Sequence, residues 1–175
     1  MATRVRLAAE DDLPAIRRIY NEGIVDRVAT LDEGEKSEAD ILEWWHSHDD
    51  YHAVFVAECD GAVVGCGALH VMWEDLAELR TVAVHESMRG EGIGHLIVDD
   101  LLDRARRVGV SRVFVLTFAV DFFGRHGFTE ISGTPVAPEV YAELLRSYDD
   151  GVAEFLELDR VKPNTLGNTR MLLRL

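Results

Sequence analysis

The segment Arg89-Gly90-Glu91-Gly92-Ile93-Gly94 holds the residues best suited to gripping a phosphate-bearing ligand. It lies between the apolar run Leu79 to Val84 and a helical run from Ile93 to Val108, so it reads as strand, glycine-rich loop and helix start. Glycine lets the backbone approach phosphate oxygens, successive N–H groups form a concave donor site, and the positive end of the helix macrodipole faces the anion. The same three glycines serve equally well in a tight strand-to-helix turn that binds nothing. A nucleoside-triphosphate loop needs Gly-Lys-Ser/Thr at the helix start, where this chain has Gly92-Ile93-Gly94-His95. The dinucleotide fingerprint G-x-G-x-x-G also fits poorly, because Gly90, Gly92 and Gly94 alternate and several strand-like runs precede them.

The elements that must hold this loop are legible in the hydrophobic pattern. Ile93, Ile97, Leu101, Ala105 and Val108 recur at three- and four-residue spacing, which gives the following helix one apolar stripe to lay on a sheet. Upstream, Val5 to Leu7 forms an opening strand, and Asp11 or Asp12 caps a helix carrying Leu13, Ile16, Ile19 and Tyr20, with Pro14 in its first turn. A loop spans Asp26 to Lys36. Ser37 with Asp40 then resembles a capping box for a helix bearing Ile41, Leu42, Trp44 and Trp45. Ala53 to Cys59 and Ala62 to Val71 form a hairpin about Asp60-Gly61, both of which tolerate positive φ. Leu76 to His85 is the next strand. Val113 to Phe118 is continuously apolar, as a buried central strand parallel to its predecessor would be. Phe128 to Ile131, a helix over Glu139 to Tyr148 and a closing strand over Met171 to Leu175 complete a mixed α/β order.

Composition narrows the classes. With 175 residues and 47% hydrophobic content the chain can bury one substantial core, and a single domain over residues 1–175 is expected. A formal charge of −14 argues against a phosphate-backbone partner, so no nucleic acid is expected. No apolar run approaches the ~20 residues that span a bilayer, and a cytoplasmic protein without a membrane partner is expected. Cys59 and Cys66 read as small buried strand residues. His46, His48 and His52, with Asp49 and Asp50, do not follow a zinc pattern, so no metal is expected.

Around the loop stand Glu78-Leu79-Arg80-Thr81-Val82-Ala83-Val84-His85, then Val113 to Phe118, then Phe122-Phe123-Gly124-Arg125-His126-Gly127-Phe128. This order resembles the GNAT family of acetyl-CoA-dependent N-acetyltransferases, whose Arg/Gln-x-x-Gly-x-Gly/Ala signature falls here on Arg89, Gly92 and Gly94. The resemblance covers nearly the whole chain. It implies the GNAT fold: a mostly antiparallel twisted sheet with a splayed parallel strand pair, flanked by helices. The stretch from Gly65 onward is similar to the short amino-acid N-acetyltransferases of arginine biosynthesis, of the N-acetylglutamate synthase type, on Gly65-Cys66-Gly67-Ala68-Leu69-His70, Phe114-Val115-Leu116-Thr117, Lys162-Pro163-Asn164 and Asn168-Thr169-Arg170-Met171-Leu172. The first 60 residues, with Ile19-Tyr20-Asn21-Glu22-Gly23-Ile24 and Ala29-Thr30-Leu31, resemble phosphinothricin-type acetyltransferases instead, whose N-terminal helices cover the acceptor pocket.

The resemblance implies acetyl-CoA as co-substrate. Val82, Ala83 and Val84 would hold its pantetheine arm through their backbones, and Arg89, Gly90, Gly92, Ile93 and Gly94 would hold its pyrophosphate. Glu78 stands where the family commonly places a base, which matters because an α-amine with a reference pKa of about 7.7 to 8.0 is largely protonated near neutrality. Glu78 reads otherwise as a solvent-facing strand carboxylate. The aromatic pair is Phe122-Phe123, so the tyrosine that many members use as proton donor is missing, and Thr117 is assigned a positioning role. For the carboxylate of an amino-acid acceptor the candidates are Arg80, which shares a strand face with Glu78 by period two, Arg170 and, third, Lys162; ordinary surface ion pairs are the alternative for the two arginines. The expected reaction is acetylation of the α-amine of glutamate or glutamine, the first step of arginine biosynthesis. A phosphinothricin-type or other small-amine acetyltransferase and a non-catalytic acyl-CoA sensor are the competing readings. A homodimer is expected from the family.

Overall fold

The structure, a computed structural model, describes residues 3–26, 34–161 and 167–175. Its elements in chain order are β1 (Thr3–Leu7), α1 (Leu13–Asp26), α2 (Glu38–His46), β2 (Val54–Cys59), β3 (Ala62–Trp73), β4 (Leu76–Val84), α3 (Ile93–Arg107), β5 (Arg112–Thr117), α4 (Val120–Gly124), β6 (Thr129–Glu130), α5 (Pro138–Leu144), α6 (Asp150–Phe155) and β7 (Thr169–Arg174). Among the described residues the strands are hydrogen-bonded in the order β1-β2-β3-β4-β5-β7-β6. The pairing of β4 with β5 is parallel and the other registered pairs are antiparallel. This is the mixed sheet with flanking helices that the sequence predicts.

The chain divides into two compact units, Met1–His70 with Leu79–Val108, and Val71–Glu78 with Gly109–Leu175. In the first, Leu13, Ile16 and Ile19 of α1 and Ile41 of α2 pack with Val54, Val56, Cys66, Ala68 and Ala83 of the strands. The β2–β3 hairpin turns at Asp60 and Gly61, with φ of 49° and 83° as that turn requires. Ser37 accepts from the Asp40 N–H at 3.2 Å while Asp40 accepts from the Ser37 N–H at 2.7 Å, which closes the capping box of α2. Asp12 does not cap α1. It lies in a 3-10 turn over Glu10–Asp12 and is gripped by the Arg6 guanidinium at 2.7 and 2.9 Å.

The second unit closes over Phe114, whose ring meets that of Phe155 edge-on at 5.3 Å, with Leu76, Leu144, Val152, Leu156 and Leu172 around them. Asp75 holds Arg112 through two hydrogen bonds of 3.0 and 2.9 Å, pinning the start of β5. The parallel register of β4 and β5 runs Leu76↔Arg112, Ala77↔Val113 and Glu78↔Phe114, while β5 pairs along its whole length with β7. The predicted helix over Glu139 to Tyr148 is shorter, Pro138–Leu144, and a second short helix, α6, follows it from an Asp149 cap. No described helix is long and apolar enough to cross a membrane.

Candidate active site

The first unit carries Leu79–Val108, which holds the end of β4, the glycine loop and α3. Gly90 and Gly92 have φ of 86° and 79°, and a Cβ on either would meet nothing within 4 Å, so it is backbone conformation and not crowding inside the protein that demands glycine there. Gly92 is the N-cap of α3, with no side-chain capping bond, and the first turn of α3 carries no acidic residue. The last turn carries Arg104, Arg106 and Arg107, so charge complements the macrodipole at the far end and the near end keeps its positive character for an anion. Ile93 is buried and anchors this turn. Arg89 is exposed, and its Nε donates to the Val84 carbonyl at 3.2 Å, folding the guanidinium over the end of β4. A diphosphate therefore fits the residues present: αL glycines, an uncapped helix start and an adjacent cation.

The position of that helix is set by two glycines in β3. A Cβ on Gly65 would lie 2.8 Å from Ile97 Cδ1 and 3.2 Å from the Ala83 carbonyl oxygen. One on Gly67 would lie 2.7 Å from Ile97 Cγ2 and 2.8 Å from Leu101 Cδ1. Ile97 and Leu101 are fully buried, each burial stabilising the unit by roughly 1.5–3 kcal/mol. Gly-x-Gly inside a strand signals such close approach, and this is the feature of Gly65-Cys66-Gly67 that gives those residues a physical reason.

Within β4, Ala83 is buried and Val82 and Val84 are half-buried. Thr81 has φ 58°, a left-handed backbone at a β-branched residue, with its carbonyl 3.5 Å from the Cys66 thiol. That thiol is fully buried, and desolvation pushes its pKa up to about 12, which makes it an inert core group. Arg80 is half-buried. Basic groups gather near it. His48 is held below the ordinary histidine range by burial first and then by the charges of His70, His52 and Arg80, opposed by its 2.7 Å hydrogen bond with the Trp44 carbonyl. The rings of His52 and His70 lie 4.6 Å apart, and Asp49 pairs with His52 at 2.8 Å. His48 and His52 belong to the loop before β2 and His70 to β3, so their gathering depends on strand pairing that residue type does not announce.

A second feature missed at the sequence level joins α1 to the end of β4. His85 Nε2 lies 3.5 Å from Glu22 Oε1, Glu22 Oε2 accepts from the Glu86 N–H at 3.3 Å, and His85 Nδ1 accepts from the Ser87 N–H at 3.2 Å with the Ser87 hydroxyl at 2.9 Å.

The second unit holds the remaining candidates. Glu78 is 4% exposed, so the reading of a solvent-facing carboxylate does not describe it. Thr117 is buried at the end of β5, where its hydroxyl accepts from the Ala119 N–H at 2.9 Å and shapes the entry to α4. Arg170 is 3% exposed, and its guanidinium is engaged by the chain itself. Nε donates to the Glu154 carbonyl at 3.1 Å, Nη2 to the carbonyls of Gly133 and Phe155, and Nη1 pairs with Glu157 at 3.3 Å. This places Arg170 as a tie for the end of α6. Lys162 lies outside the described residues, as do Pro163, Asn164 and the Ala29-Thr30-Leu31 stretch. An open depression of about 580 Å³ lies beside α4 and β6, lined by Val120, Arg125, Phe128 and Glu130 among others. No cluster of potential metal ligands occurs among the described residues.

Comparison with known proteins agrees with this geometry. Residues 13–128 match the model of the Acetyltransferase (GNAT) family. The chain is 53% identical over 174 residues to an amino-acid acetyltransferase of Mycobacterium tuberculosis, covering 97% of this chain and 92% of that one. It is 40% identical over 129 residues to an uncharacterized N-acetyltransferase of Chlorobaculum tepidum, covering 74% and 77%. A crystal structure from Mycobacterium tuberculosis, in complex with CoA and NLQ, superposes with a TM-score of 0.81 at 53% identity over 98% of this chain and 99% of that chain. A sheet with one parallel pair, an αL glycine loop opening α3 and these matches together establish that the chain belongs to the GNAT acetyltransferase family and is an acyltransferase.

Proposed function

We propose that this protein transfers the acetyl group of acetyl-CoA to the α-amine of an amino acid, glutamate or glutamine, as in the first step of arginine biosynthesis. The observation that carries the reading is the left-handed pair Gly90 and Gly92 at the uncapped start of α3, a backbone shaped for a diphosphate. The identity with an amino-acid acetyltransferase and the capture of CoA in the Mycobacterium tuberculosis structure support it.

Acetyl-CoA, when bound, supplies the acyl group as a thioester. The chain's residues do the rest. The backbones of Gly90, Gly92, Ile93 and Gly94, with Arg89, hold the diphosphate, and the backbones of Val82, Ala83 and Val84 hold the pantetheine arm. Arg80 takes the acceptor's carboxylate in a bidentate bond. Glu78 removes a proton from the acceptor ammonium, directly or through water. The freed amine nitrogen forms a bond to the carbonyl carbon, the carbon–sulfur bond breaks, and the departing thiolate takes the nitrogen's surplus proton, giving the amide and the free thiol without a tyrosine acid. Thr117 shapes the turn into α4. The chain works in this reading as one catalytic domain.

The test is a steady-state panel following thiol release with glutamate, glutamine, other amino acids, phosphinothricin and simple amines at fixed acetyl-CoA. Turnover concentrated on glutamate or glutamine is the expected result. Turnover confined to phosphinothricin or to amines lacking a carboxylate would assign another acceptor, and CoA binding with no turnover on any amine would leave only a sensor.

A further inference from the structure

The connection from β4 to the glycine loop is tied to α1 by one imidazole whose two nitrogens have different partners. His85 Nδ1 receives the Ser87 N–H at 3.2 Å, with the Ser87 Oγ 2.9 Å away, so the lone pair is on that nitrogen and the ring proton is on Nε2. Nε2 faces Glu22 Oε1 at 3.5 Å. The second oxygen of the same carboxylate accepts from the Glu86 N–H at 3.3 Å, and the His85 N–H itself is bound to the Val64 carbonyl at 2.8 Å. A residue of α1 thus grips the backbone and the side chain of the short 3-10 turn Glu86–Met88, which leads straight into Arg89. A surface ion pair by itself contributes little. Here the carboxylate binds two successive residues of one turn, and the turn's far end is the diphosphate loop.

We propose that Glu22 and His85 are positioning residues for the acyl donor: through them α1 fixes the turn before Arg89, and with it the loop that receives the diphosphate of acetyl-CoA. This rests on the reading of that loop as the CoA site. Neither side chain touches the reacting atoms, so their loss weakens donor binding and leaves the chemical step alone. The two ring nitrogens can be separated by substitution. His85→Asn keeps an acceptor close to the position of Nδ1 and abandons Glu22, whereas His85→Gln extends a donor toward Glu22 and abandons the Ser87 cap.

The experiment is calorimetric titration of the wild type, Glu22→Gln, His85→Asn, His85→Gln and the double variant Glu22→Gln/His85→Asn with CoA, alongside KM for acetyl-CoA and kcat. Glu22→Gln and His85→Asn are expected to raise Kd and KM about threefold to tenfold, the loss of one or two hydrogen bonds, with kcat held within about twofold. The double variant is expected to be no weaker than Glu22→Gln alone, because losing the Glu22 carboxylate already removes the tie to His85. His85→Gln should lie closer to the wild type. Unchanged Kd in both single variants, additive effects in the double variant, or a fall in kcat with Kd preserved would overturn the proposal. Absence of CoA binding by the wild type would overturn the donor reading itself.

Discussion

Gly67 and Ile97 approach so closely that a β-carbon on the glycine would sit 2.7 Å from Ile97 Cγ2 and 2.8 Å from Leu101 Cδ1. Gly67→Val must therefore push α3 off β3 or force Ile97 and Leu101 from their rotamers. Overpacking of this kind costs about 1–3 kcal/mol. The expected outcome is a lowered Tm together with weaker CoA binding, because the start of α3 moves with its axis; thermal denaturation and calorimetry on the same preparation read both. A lowered Tm with unaltered CoA affinity would separate helix packing from loop placement.

Gly92→Val acts differently. No protein atom lies near the new side chain, but φ of 79° costs a β-branched residue about 1–3 kcal/mol of strain, and the branch occupies the space in front of the helix start. Kd for CoA is expected to rise by at least about tenfold, while far-UV circular dichroism stays the same. Unchanged affinity would remove this loop from the donor site.

Glu78→Gln keeps the shape of a buried side chain and removes its basicity. The expected result is a fall in kcat of about 10²–10⁴-fold, the usual contribution of a general base, with Kd for CoA preserved. An equal kcat would exclude Glu78 from proton transfer.

Arg80 and Arg170 are expected to separate by the kind of damage their loss does. Arg80→Leu should raise KM for an amino-acid acceptor. Arg170→Met removes a donor from the carbonyls of Gly133, Glu154 and Phe155 inside the second unit, of which Glu154 keeps the Glu157 N–H and Phe155 the Thr134 hydroxyl, and it takes the cation from Glu157. Hydrogen bonds to a charged group contribute about 1.5–3 kcal/mol each, so a drop in denaturant midpoint is expected. A stable Arg170→Met enzyme with only a raised acceptor KM would return Arg170 to substrate recognition.

Asp12 gives the fold an acid-sensitive contact. The Arg6 guanidinium, first, and the Ala9 N–H hold its carboxyl below the ordinary carboxylate range, against the opposing effect of burial. A group whose pKa is depressed on folding stabilises the native state fully above its unfolded value, about 3.9, and that share is lost as pH falls through the folded value. Asp12→Asn should therefore be less stable than the wild type by about 1–3 kcal/mol at pH 7, with the difference shrinking below about pH 4 in urea titrations. A pH-independent difference would show that the ion pair contributes nothing.

What the sequence reveals depends on whether a residue's type encodes its conformation. Asp60-Gly61, Ser37 with Asp40, and the stripe from Ile93 to Val108 are legible because turn, cap and amphipathic helix are local. Arg170 is not. A guanidinium between Thr169 and Met171 looks the same whether it meets solvent or, as here, three carbonyls 15 to 37 residues away. α6 escapes notice because its six residues are held through Phe155 against Phe114, a distant partner. The tie between Glu22 and Glu86 spans 64 positions, and nothing in either residue's surroundings announces it. Of the candidate site, the glycine loop is local and readable, whereas the histidines around Arg80 come from β3 and the loop between α2 and β2.

The left-handed turn of the backbone at Thr81 bears on any redesign of β4. A strand normally gives odd and even residues opposite outlooks, so an engineer would infer the orientation of 82–84 by counting from 76–80. One inverted dihedral breaks that count. Substituting alanine for the threonine would retain the strain, whereas glycine would relieve it and grant the segment freedom it lacks at present. Threading foreign acceptor preferences onto this scaffold therefore calls for preserving the kink before altering any side chain that follows it.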